Sequence, residues 1–248
     1  MAMSTYGNFI NDALEREYIL VRKIKTDHIS SICLYEHKSS KKRLLKILSK
    51  NRNDHIFRKL RGLRSNNLPA IFDVCSCEEE VLVLEEYIEG ETLEQKLEAG
   101  CISRLEAVNI ALDVCKALSS LHGMNIIHRD VKPSNIIITP ENTAVLIDFS
   151  AARLMNEGQN KDTLNLGTVG YAAPEQFGVF QSMPPTDIYA FGVMLNELVE
   201  GTHPSVKMPS GKLGKIIRKC TDTSISKRYQ GVNVLANDLN RYKKFHKK

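Results

Sequence analysis

The hydrophobic periodicity of this 248-residue chain changes at Gly90, and this change limits the folds it can adopt. Before Gly90, short runs mix branched apolar residues with polar ones, which is typical of strands, and the apolar spacing within 56–63 predicts one helix. The strand-like runs cover 18–24, 31–37, 43–48, 70–75 and 81–87. After Gly90, apolar residues recur at helical spacing, and Ser103 with Glu106 has the pattern of a capping box that opens the longest helix. The pattern predicts an α+β chain, with a small β-rich part and a larger helical part.

The composition excludes several other classes of protein. Hydrophobic residues make up 42% and charged residues 25%, as in globular proteins, so a disordered chain, a collagen-like fibre and a coiled coil are excluded. The six cysteines are scattered, without a C-x-x-C pair or a nearby histidine pair, which favours reduced thiols and a cytoplasmic location. No apolar run approaches the ~18 residues of a membrane helix, so we predict no membrane span. Residues 1–11 lack the pattern of a signal peptide.

The net charge of +5 lies at the end of the chain. Residues 241–248 hold five basic residues and no acidic one. Such a tail can contact nucleic acid or an anionic surface, but it is more often a solvated, frayed terminus. We therefore predict no specific nucleic-acid partner, and the pattern favours no particular oligomeric state.

The densest polar cluster is His128–Asn135, between a helix and a short strand, and Asp148 follows thirteen residues after Asn135. Asp130 can accept a proton from a hydroxyl group, and Lys132 can neutralise charge on a transferring phosphoryl group. Asn135 and Asp148 offer the hard oxygen ligands that Mg²⁺ prefers. This ordered set predicts phosphoryl transfer.

Three motifs of this chain resemble those of eukaryotic-type protein kinases. His128–Asn135 is similar to the catalytic loop, Asp148–Phe149 to the metal-binding motif, and Ala173–Glu175 to the end of the activation segment. Segments 167–176 and 186–192 most resemble the bacterial branch of the family. The resemblance covers about 18–240. It implies a single two-lobe protein kinase domain, with about 18–88 as the N-lobe, 89–240 as the C-lobe and 241–248 as a basic tail.

The resemblance also implies roles for individual residues of the larger lobe. Asp130 would be the catalytic base and Lys132 the phosphate-contacting lysine, while Asn135 and Asp148 would hold Mg²⁺. Asp187 would brace the catalytic loop. A buried pair of Glu175 with Arg228 would lock the activation segment to the helical lobe.

In the smaller lobe, the resemblance implies the residues that bind ATP. Lys46 would grip the α and β phosphates, and the backbone of Glu86 and Ile88 would bond adenine at the hinge. The ring would be sandwiched by Ile32, Leu44 and Ile137. Lys132 and Thr168 match the Ser/Thr branch, so the implied reaction is transfer of the γ-phosphoryl group of ATP to a serine or threonine of a protein substrate.

The chain departs from the family in its glycine-rich loop. No glycine lies between Gly7 and Gly62, and the loop positions are Lys25, Asp27 and Ser30. Glycines there let backbone amides close over phosphates, so we expect weaker nucleotide binding.

Two further departures concern charged and turn positions. The helix glutamate that pairs with the strand lysine is replaced by Ile56, and Ser150 replaces the glycine after Asp148–Phe149. We expect Glu85, at the gatekeeper position, to pair with Lys46; the alternative is that Glu85 turns to solvent or to a backbone amide.

These departures leave alternatives to an active kinase. One is a pseudokinase that acts as a nucleotide-binding or scaffolding module. Another is a small-molecule phosphotransferase of related fold, although that class lacks the 167–175 segment. The short stretch from Gly201 to Arg228 predicts a trimmed helical lobe.

Overall fold

The structure, a computed structural model, describes residues 5–50, 53–76, 80–100, 102–155, 168–177 and 181–245. The chain divides into two compact units. The first comprises 1–65 with 69–88, and the second comprises 66–68 with 89–248.

The first unit is an antiparallel sheet with two helices. Helix α1 (Thr5–Glu17) runs directly into the first strand, and helix α2 (Asp54–Leu60) packs against the fourth. The strands are β1 (Tyr18–Thr26), β2 (Ser30–His37), β3 (Arg43–Ser49), β4 (Ile71–Ser76) and β5 (Val81–Glu86). Their order in the sheet is β1-β2-β3-β5-β4. All five predicted strands are present, whereas α1 was not predicted.

The strand register defines two faces of this sheet. Lys46 lies opposite Leu84, and Leu45 lies opposite Glu85. Because successive side chains of a strand point to opposite faces, Lys46 and Glu85 belong to different faces. We call the face that carries Lys46 the α1 face, because Ile10 and Leu14 of α1 are buried against its core. That core consists of Leu44, Cys75 and Leu82, with Tyr18, Tyr35, Leu48 and Leu84 partly buried around them. We call the other the Glu85 face.

The second unit is built around α4 (Arg104–Gly123), whose apolar residues from Ala107 to Leu121 are buried. The Ser103 hydroxyl accepts a hydrogen bond from the Glu106 amide at 3.2 Å, but the Glu106 side chain lies 3.3 Å from Lys96 instead. Only half of the predicted capping box is therefore formed. A complete box caps α3 (Leu93–Ala99), where Thr92 and Gln95 bond each other's amides at 3.1 and 2.9 Å.

Short strands and three further helices complete this unit. The strands are β6 (Glu91–Thr92), β7 (Ile126–Ile127), β8 (Ile136–Ile138), β9 (Ala144–Leu146) and β10 (Arg153–Leu154). They form a β6-β8-β9 sheet and a β7–β10 pair. The helices are α5 (Pro184–Glu200), α6 (Gly211–Cys220) and α7 (Val232–Phe245). Residues 201–210 join α5 to α6 without a helix.

The end of the chain is more ordered than its charge suggests. Helix α7 continues through Phe245, so residues 241–245 are helical and the expectation of a frayed tail from 241 is wrong there. Among the described residues, no helix has the length and apolar character needed to cross a membrane. Cys33, Cys75, Cys115 and Cys220 carry reduced thiols. Cys77 and Cys101 lie outside the described residues.

Candidate functional site

A buried aspartate holds the loop that follows β7. One Asp187 oxygen accepts hydrogen bonds from the His128 amide at 2.9 Å and lies 2.8 Å from His122 Nε2; the other accepts from the Arg129 amide at 2.7 Å. Burial favours a raised pKa for Asp187, but the hydrogen bond to His122 and nearby charges lower it overall. The loop needs this support because Arg129 has a φ of 70°, which is costly for a residue other than glycine. The predicted bracing by Asp187 is confirmed.

The polar residues of this loop converge on the Asp130 carboxylate. Thr168 Oγ1 donates to Asp130 Oδ1 at 2.7 Å, and Asn135 Nδ2 donates to Asp130 Oδ2 at 2.9 Å. Lys132 Nζ lies 2.8 Å from Asp130 Oδ2 and donates to Thr168 Oγ1 at 2.6 Å. The structure thus brings together the base, the lysine and the asparagine predicted from the sequence.

The protonation of Asp130 follows from these contacts. Burial alone would raise its pKa, but the hydrogen bonds from Lys132, Thr168 and Asn135 and the charge of Lys132 outweigh burial and lower it. The carboxylate is therefore ionised at neutral pH and can accept a proton.

Asn135 and Asp148 present oxygen atoms suited to a divalent cation. Asn135 directs its Nδ2 to both the backbone oxygen and the Oδ2 of Asp130, each at 2.9 Å, which leaves its amide oxygen for another partner. The Ile147 amide donates to the Asn135 carbonyl at 2.9 Å, so Asp148 lies one residue from a direct contact with this loop. Asp148 is exposed, has a φ of 67°, and accepts the Ser150 amide at 3.0 Å. An amide oxygen and a carboxylate oxygen fit Mg²⁺, which takes few protein ligands.

The segment that ends at Glu175 is fixed to the helical unit. The Arg228 guanidinium binds both Glu175 oxygens, at 2.7 and 2.9 Å, and both side chains are almost fully buried. Thr186 Oγ1 donates to Glu175 at 2.9 Å, and Gln176 Nε2 donates to the Arg129 carbonyl at 3.0 Å. The predicted buried bridge is confirmed, and Gln176 is a connection to the catalytic loop that sequence analysis missed.

In the first unit, the expected pair of Lys46 with Glu85 is wrong. The two side chains leave opposite faces of the sheet, and Lys46 Nζ donates to Asn11 Oδ1 of α1 at 2.5 Å. Asp54, an acid of α2 near Ile56, accepts hydrogen bonds from Ser76 Oγ at 2.7 Å and Arg58 at 3.2 Å instead of pairing with Lys46. Sequence analysis missed α1, so it had no reason to expect Asn11.

The residues expected to sandwich adenine are also separated by the register. Ile32 lies opposite Ile47, on the Glu85 face, whereas Leu44 is buried on the α1 face. The two cannot cover one side of a single ring, so their joint assignment is wrong. Ile137 is half-buried on β8, between two buried neighbours. Ile88 is half-buried after β5, and Glu86 binds Ala70 through its amide at 2.8 Å and its side chain at 3.0 Å.

The turn that replaces the glycine-rich loop is closed by its own carboxylate. Asp27 Oδ1 accepts from the amides of Ile29 at 2.8 Å and Ser30 at 2.7 Å, and Lys25 lies 3.0 Å from Asp27 Oδ2. These hydrogen bonds lower the pKa of Asp27 to about 2. The amides of Ile29 and Ser30 are therefore already bound within the turn. On α2, Ile56 is fully buried, as expected for an apolar residue in place of the helix glutamate.

Comparison with known proteins agrees with this geometry. Residues 15–242 match the protein kinase domain family. A probable serine/threonine-protein kinase of Clostridium perfringens is 30% identical over 208 residues, which cover 74% of this chain and 30% of that protein. The probable serine/threonine-protein kinase PknB of Corynebacterium glutamicum is 35% identical over 150 residues, or 57% of this chain and 23% of that protein.

A plant relative extends the similarity beyond bacteria. Mitogen-activated protein kinase kinase 9 of Arabidopsis thaliana is 34% identical over 130 residues, which cover 50% of this chain and 41% of that protein. The chain spans less than a third of the length of the two bacterial relatives. Because the family match extends over nearly the whole chain and the catalytic loop has the required geometry, this chain belongs to the protein kinase family.

Proposed function

We propose that this chain is an ATP-dependent protein serine/threonine kinase of the bacterial type, that its two units form one kinase domain, and that it acts in the cytoplasm. The observation that carries the proposal is the arrangement around Asp130. An ionised carboxylate there lies within hydrogen-bond distance of Lys132, Thr168 and Asn135. Reduced thiols support the proposed location, and the names of the bacterial relatives support the proposed branch.

The proposed reaction transfers the γ-phosphoryl group of ATP to a serine or threonine hydroxyl of a protein. The hydroxyl oxygen forms a bond to the γ-phosphorus, the bond from that phosphorus to the β–γ bridging oxygen breaks, and ADP leaves. Asp130 accepts the hydroxyl proton, and Lys132 stabilises charge on the transferring group. Asn135 and Asp148 would hold Mg²⁺, which supplies charge neutralisation at the phosphates. The backbone of Glu86 and Ile88, with Leu44 and Ile137, would contact the base, and Leu44 and Glu86 line one cavity of about 600 Å³.

Thr168 supports the choice of serine and threonine as acceptors. Its hydroxyl donates to Asp130 and accepts from Lys132, at 2.7 and 2.6 Å. This contact fixes the start of the segment that leads to Glu175 beside the catalytic base. A protein substrate bound by that segment would present its hydroxyl group to Asp130.

An assay of ATP·Mg²⁺ turnover tests the proposal. Asp130→Asn is expected to lower kcat by roughly a hundredfold or more, because general-base catalysis contributes about that factor. Asp12→Asn, which changes an exposed acid of α1, serves as the matched control and should retain wild-type turnover. Equal turnover of wild type and Asp130→Asn would reject the assignment of Asp130. ATP binding without turnover by the wild type would identify a pseudokinase.

A further inference from the structure

A cleft between α6 and α7 lies apart from the phosphoryl-transfer residues in the chain. It encloses about 390 Å³, and its lining comes entirely from the second unit. The apolar part of the lining consists of Ile216, Tyr229, Tyr242 and Phe245. The first three are 7%, 3% and 8% exposed, whereas Phe245, at the end of α7, is 68% exposed. The cleft therefore has a packed apolar wall and one apolar side chain that is accessible to a ligand.

Basic side chains outnumber acidic ones in this cleft, which we call the basic cleft. Its basic residues are Lys212, Lys215, Lys219 and Arg241, and its acidic residue is Asp238. Asp238 is already engaged, because it accepts a hydrogen bond from the Tyr229 hydroxyl at 2.9 Å and lies 3.1 Å from Arg241. Within the part of the chain that the structure describes, no carboxylate forms an ion pair with any of the three lysines. The basic cleft thus carries an excess of positive charge that the protein itself does not neutralise.

The three lysines form a row along α6. Positions 212, 215 and 219 follow the i, i+3, i+7 spacing of one helix face, and all three side chains are exposed. At about 1.5 Å of rise per residue, the row is about 10 Å long, which about three residues of extended chain can span. Alternate side chains of an extended peptide lie about 7 Å apart on the same side. A short acidic segment can therefore place two carboxylates along this row.

Aromatic rings hold two of these lysines in place. Lys212 Nζ lies 4.1 Å from the centroid of the Phe245 ring, and Lys219 Nζ lies 4.1 Å from that of the Tyr229 ring. Such contacts orient an ammonium group without neutralising its charge. They also occupy ring faces on which a nucleobase would stack, which disfavours a single-stranded nucleic acid as the ligand. The concave form of the cleft suits a chain segment better than the flat surface of a membrane.

We propose that the basic cleft binds an acidic, extended segment of a protein substrate, with its carboxylates on the row of lysines and Arg241 and an apolar side chain against Phe245. This inference rests on the proposed kinase function, because it gives the substrate a docking segment separate from the serine or threonine that receives the phosphoryl group. The attraction acts between exposed charges, so it weakens as the salt concentration rises. Linked to the contacts near Asp130, even a weak docking contact raises the local concentration of the acceptor hydroxyl.

Fluorescence anisotropy of a labelled octaglutamate peptide with the full chain tests the basic cleft. Lys215→Gln and Lys219→Gln should each weaken binding by roughly two- to fivefold, and the double variant by roughly tenfold. Octaglutamine, which has the same length without the charge, should not bind. Lys227→Gln removes an exposed lysine of the same unit that does not line the cleft, and it should leave the Kd within about twofold of wild type. Because the substituted side chains are exposed, Tm should stay within about 2 °C of wild type in all variants.

The results of these measurements decide between a docking cleft and a general effect of charge. Unchanged binding of octaglutamate to the double variant, or an equal loss in Lys227→Gln, would overturn the inference. A labelled octathymidylate should bind more weakly than octaglutamate, and binding as tight or tighter would identify a nucleic-acid site instead. Sedimentation with phosphatidylserine vesicles that the double substitution abolishes would likewise overturn the inference, in favour of a membrane surface.

A turnover assay with dephosphorylated casein, an acidic protein, separates this inference from the proposed function. The double variant should raise the KM for casein by roughly tenfold, while kcat and the KM for ATP stay within about twofold of wild type. A lower kcat with an unchanged KM for casein would overturn the docking role. Phosphoryl transfer by a wild type that does not bind octaglutamate would overturn the inference alone. Binding of octaglutamate without any phosphoryl transfer would overturn the kinase proposal and leave the cleft as a site for acidic segments.

Discussion

Asp27 closes the β1–β2 turn with its own carboxylate, and this contact can be observed directly. Its hydrogen bonds to the amides of Ile29 and Ser30, and the nearby Lys25, stabilise the ionised form, so the pKa lies at about 2 compared with the ordinary 3.8. The nuclear magnetic resonance signals of these two amides should therefore titrate with a midpoint near pH 2. Asp27→Asn should abolish the titration. A midpoint at the ordinary value would show that these contacts do not stabilise the ionised carboxylate.

The bridge between Glu175 and Arg228 is expected to be one of the most sensitive points of the second unit. Glu175→Gln leaves a buried guanidinium without a compensating charge, which should lower the free energy of unfolding by roughly 3 kcal/mol or more. Arg241→Gln breaks the exposed pair with Asp238 and should cost less than about 1 kcal/mol. Urea unfolding followed by circular dichroism measures both. Similar losses of free energy of unfolding in the two variants would mean that the buried bridge stabilises the protein no more than an exposed ion pair.

At the scale of elements, α5 and α6 approach each other at a glycine. A Cβ atom added to Gly192 would lie 2.5 Å from the Cβ of Cys220 and 2.8 Å from Cγ2 of Thr221, so α5 would have to move. Gly192→Ala is expected to lower the free energy of unfolding by about 1–3 kcal/mol. Gly123→Ala, at the end of α4, meets nothing within 4 Å and should raise it by up to about 1 kcal/mol. The Tm of Gly192→Ala should thus decrease and that of Gly123→Ala should increase. Shifts of both Tm values in the same direction would contradict this packing.

The strands and the long helices could be predicted because each follows its own periodicity. The catalytic loop could be predicted because Asp130, Lys132, Asn135 and Asp148 follow a fixed order in the chain. The register of β3 could not be predicted from the sequence. A shift by one residue changes the face of every side chain, while the sequence pattern of apolar residues stays the same. Lys46 and Glu85 show this, because both faces of the sheet carry apolar residues.

Helix α1 was missed for a related reason. Ile10 and Leu14 have helical spacing, but they are its only buried hydrophobic residues, and Phe9 and Tyr6 are exposed. A helix with so narrow an apolar stripe gains its stability from the sheet it covers, which local sequence does not display. The signal that could have found it was this spacing just before a strand-like run.

For the whole molecule, the shifted groups define a range of stable pH. Hydrogen bonds lower the pKa of Asp27, Glu36 and Asp54, and at Asp130 and Asp187 they do so against burial. Carboxylates with a lowered pKa in the folded state stabilise the protein above their ordinary pKa, and this contribution is lost as pH falls through the folded values. We expect the urea concentration at the midpoint of unfolding to decrease as the pH is lowered from about 5 to about 2.

The alkaline side follows the opposite sign. Burial raises the pKa of Tyr35, Tyr171, Tyr189 and Tyr229 above the ordinary 10.0. Their contribution is complete below that pH and is lost as pH rises through the folded values. A urea midpoint that stayed constant from pH 3 to pH 11 would contradict both halves of this prediction.

The position of Cys75 gives the protein a built-in reporter. Its thiol is 4% exposed, in the core that Ile10 and Leu14 of α1 cover, whereas Cys33 on the same face is half-buried. Burial raises the pKa of the Cys115 and Cys220 thiols, which makes them slow to react. The rate at which an alkylating reagent modifies Cys75 relative to Cys33, resolved by mass spectrometry, would therefore measure how often α1 lifts from the sheet, without any label being engineered into the chain.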